Sequence, residues 1–343
     1  MSDFKILIFD NYNKSLWDSF VKKKNITTIE HLFEWKNILK KTYNLDSLYL
    51  GIKIKNQIVS VCPFIITNFL FKKKAISFPY LCSGGVLVND EISKRFAENI
   101  YAEYLYNNKI SYVEFRFIDK SNKTSSYVSS RINLPSSKEI YWNSLKSNHR
   151  RKIKKAEKND FKFVIKKTNT FEYYQIYLRG LKKHGVPPHS INLFHNVLKY
   201  FKDQVNVLQV THANKIIASM VLISCNKSIS APFIFSNPKY LNNLCNYYLY
   251  WEAINFAIEN NYEYFDLGRS ISNSGNEKFK NMWNAKSTPL CTHVFDEKKL
   301  LKSSTTSINS YFKLQYRIIS SIWSNMPLLI HSNIGPKLRK YIV

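Results

Sequence analysis

One order of elements occurs twice along this chain of 343 residues, and it limits the possible folds more than any other feature. In each half, apolar spacing predicts three successive strands, one helix and a further strand. The predicted elements are strands 48–55, 57–71, 75–88 (broken at 78–80 and 83–85) and 112–117 with helix 90–107, then strands 205–212, 215–225, 228–236 and 262–267 with helix 244–260. The repeat predicts an internal duplication in an α/β (α+β) chain, each half holding a mixed sheet flanked by helices.

A basic segment joins the two halves. Seven of the thirteen residues from Lys146 to Lys158 are Lys or Arg, and the segment contains no Pro or Gly. His149 and Ile153 share one face of a helix at this spacing, so the segment predicts a basic helix and not a loose linker. The basic face either contacts phosphate groups or is only solvated, and its charge density favours phosphate. The candidate donor-binding residues here are Arg150, Arg151 and Lys154.

The overall charge of the chain is strongly positive. Fifty-one Lys and Arg against 24 Asp and Glu give +27, which predicts a partner such as RNA, anionic lipid or a phosphorylated substrate. The five cysteines are odd in number and lack metal-ligand spacing, so we expect a reduced protein without disulfides and without a metal site. No apolar run is long enough to span a bilayer and no signal peptide is apparent, which predicts a cytoplasmic protein.

A strand with a charged tip is the leading candidate for catalysis. Asp266 and Arg269 place opposite charges where the predicted strand 262–267 ends, with Gly268 between them to permit a turn. Asp266 is the candidate base or amine orienter, and Arg269 or Lys280 is a candidate for neutralising phosphate. The competing interpretation is a structural ion pair. The first half ends in the equivalent pair Glu114 and Arg116, for which we expect a supporting role at a shared cleft.

Two histidines flank a rigid turn. His184 and His189 enclose Gly185-Val186-Pro187-Pro188, whose prolines restrict the backbone. We expect one imidazole to shuttle a proton or to bind a hydroxyl group, although both could be ordinary surface residues. The residues predicted to contact substrate are His184, His189, Ser270, Lys280, Trp283, Glu114 and Arg116.

The loop before the second long helix lacks glycine. In a coenzyme A site, backbone amides at a helix N-terminus hold the pyrophosphate, and glycines let the backbone approach it. Residues 236–244 contain none, although Asn242 and Asn243 are placed to cap the helix and bind the donor. The loop therefore lacks the usual means of holding the pyrophosphate of coenzyme A.

The predicted domains are residues 1–145, residues 146–300 and a C-terminal amphipathic tail, 301–343. Apolar residues of the tail share a helical stripe beside a basic cluster, as in helices that lie on anionic membranes. Packing of this stripe against the protein itself is the alternative. The stripe consists of Ile308, Tyr311, Phe312, Ile319, Ile322, Trp323 and Met326.

Short motifs along nearly the whole chain occur in the order of a known family. They are Trp17–Phe20, His31 with Trp35, Ser77–Pro79 with Gly84 and Gly85, Glu114–Arg116, Arg150–Lys158, Lys183–Ser190, Phe265–Ser270 with Phe279, Lys280 and Trp283, Ile322–Leu328 with its Trp, Met and Pro, and Gly335-Pro336. In this order they resemble the FemAB family of acyl and aminoacyl transferases, and most of all its FemAB-related members from exopolysaccharide and exosortase (PEP-CTERM) loci.

The resemblance implies two tandem GNAT-like domains and an N-acyltransferase that forms an amide. The expected donor is aminoacyl-tRNA or an acyl-CoA, with no permanently bound cofactor. The expected acceptor is an amine of a glycan or lipid-linked cell-envelope precursor, such as peptidoglycan or a surface polysaccharide, at the inner face of the membrane. Two alternatives stay open: an acetyl-CoA-dependent amino-sugar N-acetyltransferase, and a non-catalytic protein that binds RNA or membrane on the same fold.

Overall fold

The chain forms two compact units. The computed structural model describes residues 4–24, 28–69, 72–121, 125–166, 170–296, 299–304 and 320–340. Unit 1 comprises Met1–Ser129, Arg269–Ser272 and Thr288–Ser307, and unit 2 comprises Ser130–Gly268, Asn273–Ser287 and Ile308–Val343. The sequence divides the chain at residues 145 and 300, whereas these units are discontinuous, because the chain returns to unit 1 twice after it has entered unit 2.

Strands and helices alternate along the chain. The strands are β1 (Phe4–Phe9), β2 (Asp46–Ile54), β3 (Gln57–Phe69), β4 (Lys72–Ser77), β5 (Leu87–Val88), β6 (Tyr112–Ile118), β7 (Tyr127–Asn133), β8 (Lys162–Lys166), β9 (Val205–His212), β10 (Lys215–Cys225), β11 (Ser228–Ser236), β12 (Tyr264–Ile271), β13 (Lys286–Asp296) and β14 (Lys299–Ser304). The α-helices are α1 (Lys14–Lys22), α2 (Glu34–Tyr43), α3 (Lys94–Asn107), α4 (Lys138–Ser144), α5 (Ser147–Glu157), α6 (Thr170–Lys183), α7 (Ile191–Phe201), α8 (Cys245–Glu259), α9 (Gly275–Asn281) and α10 (Leu328–Arg339).

Each unit has a mixed, mostly antiparallel sheet. In unit 1 the order is β1-β2-β3-β4-β6-β13, with β5 beside β3 and β14 beside β13. In unit 2 it is β12-β11-β10-β9-β8. The pairs β4–β6 and β11–β12 are parallel. A parallel pair needs a crossover connection, which α3 supplies in unit 1 and α8 in unit 2. The duplicated element order predicted from the sequence is therefore present.

A single helix covers much of the sheet core in each unit. In unit 1, Ala97, Tyr101 and Leu105 lie one turn apart on α3 and pack on apolar strand residues such as Phe64 and Phe115. In unit 2, α8 is buried along most of its length and packs on β9 and β10. The apolar area removed from water by these two helices is the main stabilising contribution to each unit.

The strands agree with the predicted ones in most details. The expected break in strand 75–88 is present: β4 ends at Ser77 and β5 begins only at Leu87, because Phe78 adopts a φ of 50° and turns the backbone out of the sheet. The predicted strand 262–267 continues to Ile271. Strand β1, which the sequence shows only as a short apolar run, pairs with β2 along its full length.

All five cysteines are buried, and none forms a disulfide. No helix among the described residues combines the length and apolarity needed to cross a membrane.

Gly180 and Gly185, in α6 and in the turn that follows it, differ in whether the structure has room for a side chain. Gly185 has a φ of 61°, and a Cβ there would lie 2.2 Å from the Ser320 carbonyl oxygen. We expect Gly185→Ala to lower the free energy of unfolding by about 1–3 kcal/mol. A Cβ on Gly180, within α6, would approach no atom closer than 4.0 Å, so Gly180→Ala is the control and should stabilise by about 0.5–1 kcal/mol. Urea unfolding measures both changes, and a Gly185→Ala protein as stable as the wild type would contradict the described turn.

Candidate functional site

The basic helix α5 has one buried face and one charged face. His149, Ile153 and Ala156 are buried at helical spacing, and the helix packs on α8. Lys152 points its ammonium group to the Tyr247 hydroxyl at 3.2 Å. Burial of this face fixes the rotation of α5, so that most of its remaining cations lie on the opposite side.

The charged face of α5 borders an open groove of about 520 Å³ in unit 2. Trp142, from α4, forms one wall, and Lys154 lies with its ammonium group 5.8 Å from the centre of that indole ring. Arg151 is oriented by a hydrogen bond to the Asn148 side chain. The lining residues are Trp142, Ser147, Arg150, Arg151, Lys154, Lys155 and Lys158.

The groove has the electrostatics of a polyanion site. Five of its seven lining side chains are cationic and none is a carboxylate. Ser147, the first residue of α5, is also in the lining, and no side chain caps this helix end. The partial positive charge of the helix N-terminus adds to that of the side chains. The structure thus brings together the three donor-binding candidates on α5, Arg150, Arg151 and Lys154.

Asp266 and Lys280 both hold the backbone of Gly268. The Gly268 amide donates to Asp266 Oδ1 at 2.7 Å, and Lys280 Nζ donates to the Gly268 carbonyl at 2.9 Å. Gly268 has a φ of 73°, and a Cβ on it would meet no atom within 4 Å, so this turn of the backbone borders open space. Asp266 lies in mid-strand, opposite Ser230 of β11, and not at a strand tip as predicted.

The exposure of these charged groups differs. Asp266 is 7% exposed and Lys280 is 3% exposed, so Lys280 does not present its charge to solvent, contrary to its predicted contact with phosphate. Arg269, in unit 1, is exposed, and its guanidinium lies 5.1 Å from the centre of the Tyr127 ring. Ser270 is buried, and its hydroxyl has no hydrogen-bond partner among the described residues.

Glu114 and Arg116 form a direct ion pair in unit 1. They lie on one face of β6, and Arg116 Nε donates to Glu114 Oε1 at 2.6 Å. Tyr112 donates its hydroxyl to the other carboxylate oxygen at 3.0 Å, and Arg116 Nη1 donates to the Pro79 carbonyl at 2.7 Å. Each side chain of the pair is 13% exposed. The pair therefore holds the loop 78–86 that follows β4.

The same loop is held by buried polar residues that the sequence reasoning did not assign a role. Glu30 Oε1 accepts the Cys82 and Ser83 amides at 2.7 and 3.0 Å. His31 donates from Nε2 to the Gly85 carbonyl at 2.8 Å, and burial lowers the pKa of this imidazole to about 4. The only feature of the sequence that points to these buried polar residues is the motif that includes His31. Burial of Glu30 depends on contacts 52 residues away along the chain.

The predicted substrate contact of His189 is wrong. Its side chain is buried, its pKa lies well below the ordinary value because of that burial, and Arg339 of α10 donates to Nε2 at 3.3 Å. Tyr177 and Tyr174 bind its backbone amide and carbonyl. His184 is exposed at the end of α6, and its carbonyl accepts the Ser320 hydroxyl.

Trp283 and the two asparagines also differ from expectation. Trp283 is fully buried, stacks on Tyr250 in the core of unit 2 and cannot touch a substrate in this conformation. Asn242 and Asn243 are exposed within a 3₁₀ helix, Pro238–Asn243, and the residue that caps α8 is Leu244. They do not cap α8, because they end the 3₁₀ helix and Leu244 occupies the N-cap position between that helix and α8.

Two buried histidines allow a matched test. His149 has no hydrogen-bond partner at either ring nitrogen among the described residues, and its pKa is lowered from 6.5 to about 4 by burial and by the nearby Lys152. Since an unpaired buried polar group is unfavourable, His149→Phe should leave stability unchanged or raise it, whereas His31→Phe should lower it by about 1–3 kcal/mol. Between pH 6.5 and 4 this imidazole binds a proton more readily in the unfolded chain than in the folded one, so the free energy of unfolding falls as the pH drops through this range. The fall should be less steep in the His149 variant. Denaturant unfolding at several pH values measures this, and a loss of stability in His149→Phe at pH 7.5 would contradict the unpaired imidazole.

Comparisons with known proteins agree with this architecture. Residues 143–281 match the family model described as an acetyltransferase (GNAT) domain. The crystal structure of FemX superposes with a TM-score of 0.66 at 10% identity, over 92% of this chain and 100% of FemX. A tandem GNAT protein from the clavulanic acid biosynthesis pathway gives 0.55 at 5% identity, over 84% of this chain and 98% of its own.

A third structure is the C-terminal domain of a putative lysylphosphatidylglycerol synthetase from Agrobacterium fabrum, with a TM-score of 0.55 at 9% identity over 90% of this chain and 96% of that domain. No curated protein matches the sequence. The predicted fold of tandem GNAT-like domains is confirmed: the chain is similar in fold to FemX and to a tandem GNAT protein, and its residues 143–281 match an acetyltransferase (GNAT) domain.

Proposed function

We propose that this protein is an N-acyltransferase that moves an acyl group from a phosphate-bearing activated donor to an amine of a cell-envelope precursor. The observation that carries the proposal is the groove on α5, with its five cations and one indole, within and beside the GNAT-matching segment. Phosphate chains are the common feature of aminoacyl-tRNA and acyl-CoA, and cationic side chains with a helix N-terminus bind them favourably.

A tRNA-borne donor is favoured over acyl-CoA. The segment before α8 contains no glycine and forms the 3₁₀ helix Pro238–Asn243. The Lys239 amide at the start of this helix already donates a hydrogen bond to the Asn237 side chain. An approach of pyrophosphate to the backbone would require that turn to open. The groove on α5 is open along the helix surface and suits a longer chain of phosphates.

The reaction itself is amide formation. The amine nitrogen attacks the carbonyl carbon of an ester or thioester, the bond to the tRNA oxygen or coenzyme sulfur breaks, and a proton passes from nitrogen to a base and on to the leaving group. We assign the base or orienting role to Asp266 of unit 2, beside the open space at Gly268. Arg269 of unit 1 is exposed, and we assign it separately to an anionic part of a substrate.

The acceptor in this proposal is a glycan or lipid-linked envelope amine. The FemAB resemblance supports it, as does the similarity in fold to FemX. Such acceptors are assembled at the inner face of the cell membrane, where we place this protein.

The groove can be tested by removing its charge. Arg150→Gln, Arg151→Gln and Lys154→Gln together should weaken the binding of tRNA by about 10–100-fold and lower the salt dependence of binding, because up to three phosphate contacts are lost. The control carries Lys199→Gln, Lys202→Gln and Lys215→Gln, three exposed cations outside the groove, and should bind nearly as wild type. Calorimetry with aminoacyl-tRNA, uncharged tRNA and acetyl-CoA at several salt concentrations provides the measurement.

The three ligands also separate the possible donors. Tighter binding of the aminoacyl form supports the proposed donor, whereas saturable acetyl-CoA binding that survives the groove substitutions would assign the donor to another surface. Equal weakening of tRNA binding by both sets of substitutions would contradict the groove.

The role of Asp266 is tested by Asp266→Asn. The amide keeps an oxygen that accepts the Gly268 amide but cannot take up a proton, so the fold should persist while kcat falls by about 10²–10⁴-fold with little change in KM. Circular dichroism and unfolding curves check the fold. If the variant keeps the wild-type kcat, Asp266 is a structural residue that only shapes the backbone at Gly268.

A further inference from the structure

Helix α10 leaves an apolar stripe uncovered. Ile330, Ile334 and Leu338, spaced four residues apart along one side of the helix, are 38%, 46% and 42% exposed, and Leu329, on a neighbouring side, is 74% exposed. Ile322, in the helical residues 320–325 just before α10, is 56% exposed. Isolated apolar side chains on a surface are ordinary, but a stripe that follows one helix side indicates a partner.

Another side of α10 is packed against the rest of unit 2. Gly335 lies against Pro188 and Trp323 so closely that a Cβ would come within 2.3 Å of the proline ring. His331 is buried against Trp323, and Arg339 binds His189. These contacts fix which side of the helix faces outward. They also correct one prediction, because Trp323 belongs to the packed side and not to the exposed stripe.

Positive charge accompanies the stripe. At 100° per residue, Lys337 falls beside Ile330 and Ile334 on the same side of α10, whereas Arg339 falls on the packed side. After Glu297 the sequence contains eight Lys and Arg and no Asp or Glu. Ile308, Tyr311, Phe312 and Ile319, which the sequence places on a stripe with Ile322, lie outside the described residues.

We propose that α10 docks this protein onto an anionic phospholipid surface, with the helix parallel to the membrane and its apolar stripe inserted among the acyl chains. An exposed apolar stripe takes up a position at the lipid boundary, and lysines beside it contact lipid phosphates. The whole C-terminal segment lacks negative charge, which favours an anionic lipid surface over a second copy of this basic chain. The inference specifies the surface by which the proposed reaction reaches the membrane, but it needs no turnover to be measured.

The test uses the full chain and vesicle flotation. Phosphatidylcholine vesicles with and without phosphatidylglycerol are compared for the wild type and for the stripe variant Ile330→Ser, Ile334→Ser and Leu338→Ser. The control variant is Ile8→Ser, Leu16→Ser and Ile165→Ser, which removes apolar side chains of 50%, 53% and 42% exposure from elsewhere on the chain. Thermal unfolding of all three proteins shows whether each one is folded.

The wild type and the control should bind phosphatidylglycerol vesicles, and the stripe variant should bind at least about ten-fold more weakly. Binding should fall with salt and be weak on phosphatidylcholine alone. Equal binding by the wild type and the stripe variant would overturn the proposal. So would self-association of the wild type, measured by ultracentrifugation, that only the stripe substitutions abolish, since the stripe would then join two copies of the chain. Turnover with soluble substrates, assayed without vesicles, tests the proposed reaction separately.

Discussion

Packing of α5 on α8 is the interaction on which the candidate site depends. Three buried residues of α5, namely His149, Ile153 and Ala156, fix the rotation of this helix. The cations between them then have to share the outer side, although like charges on neighbouring turns repel one another. Burial of the apolar face offsets that repulsion, so these cations stay concentrated on one side of the folded helix.

Much of the fold could be predicted from the sequence, because apolar periodicity reports which side of an element is buried. The central strands of both halves, the long helices α3 and α8 and the basic helix α5 are all visible in this way. Edge strand β1 is not, since a short run with only one strongly buried residue, Phe9, has little pattern. The discontinuous units are also invisible, because they depend on which strands pair and not on local composition.

The candidate site was predicted less completely, for a physical reason. Charge clustering on α5 is a local property, so Arg150, Arg151 and Lys154 were identified together. Exposure is not local: Trp283 and His189 sit in motifs that look functional, yet each is surrounded by aromatic side chains from distant segments. Buried carboxylates such as Glu30 are equally hidden, because their partners are backbone amides of a remote loop.

Trp142 is the one lining residue of the groove that lies in a different helix from its cations, and Trp251 of α8 holds its ring from behind, with ring centres 5.0 Å apart. Lysine and arginine side chains attract any chain of phosphates, whatever group the phosphates carry. The indole ring of a tryptophan is more selective, because stacking needs an aromatic partner such as a nucleobase. For the proposed nucleotide-bearing donor, Trp142 is thus the lining residue that can distinguish a base from a bare phosphate chain.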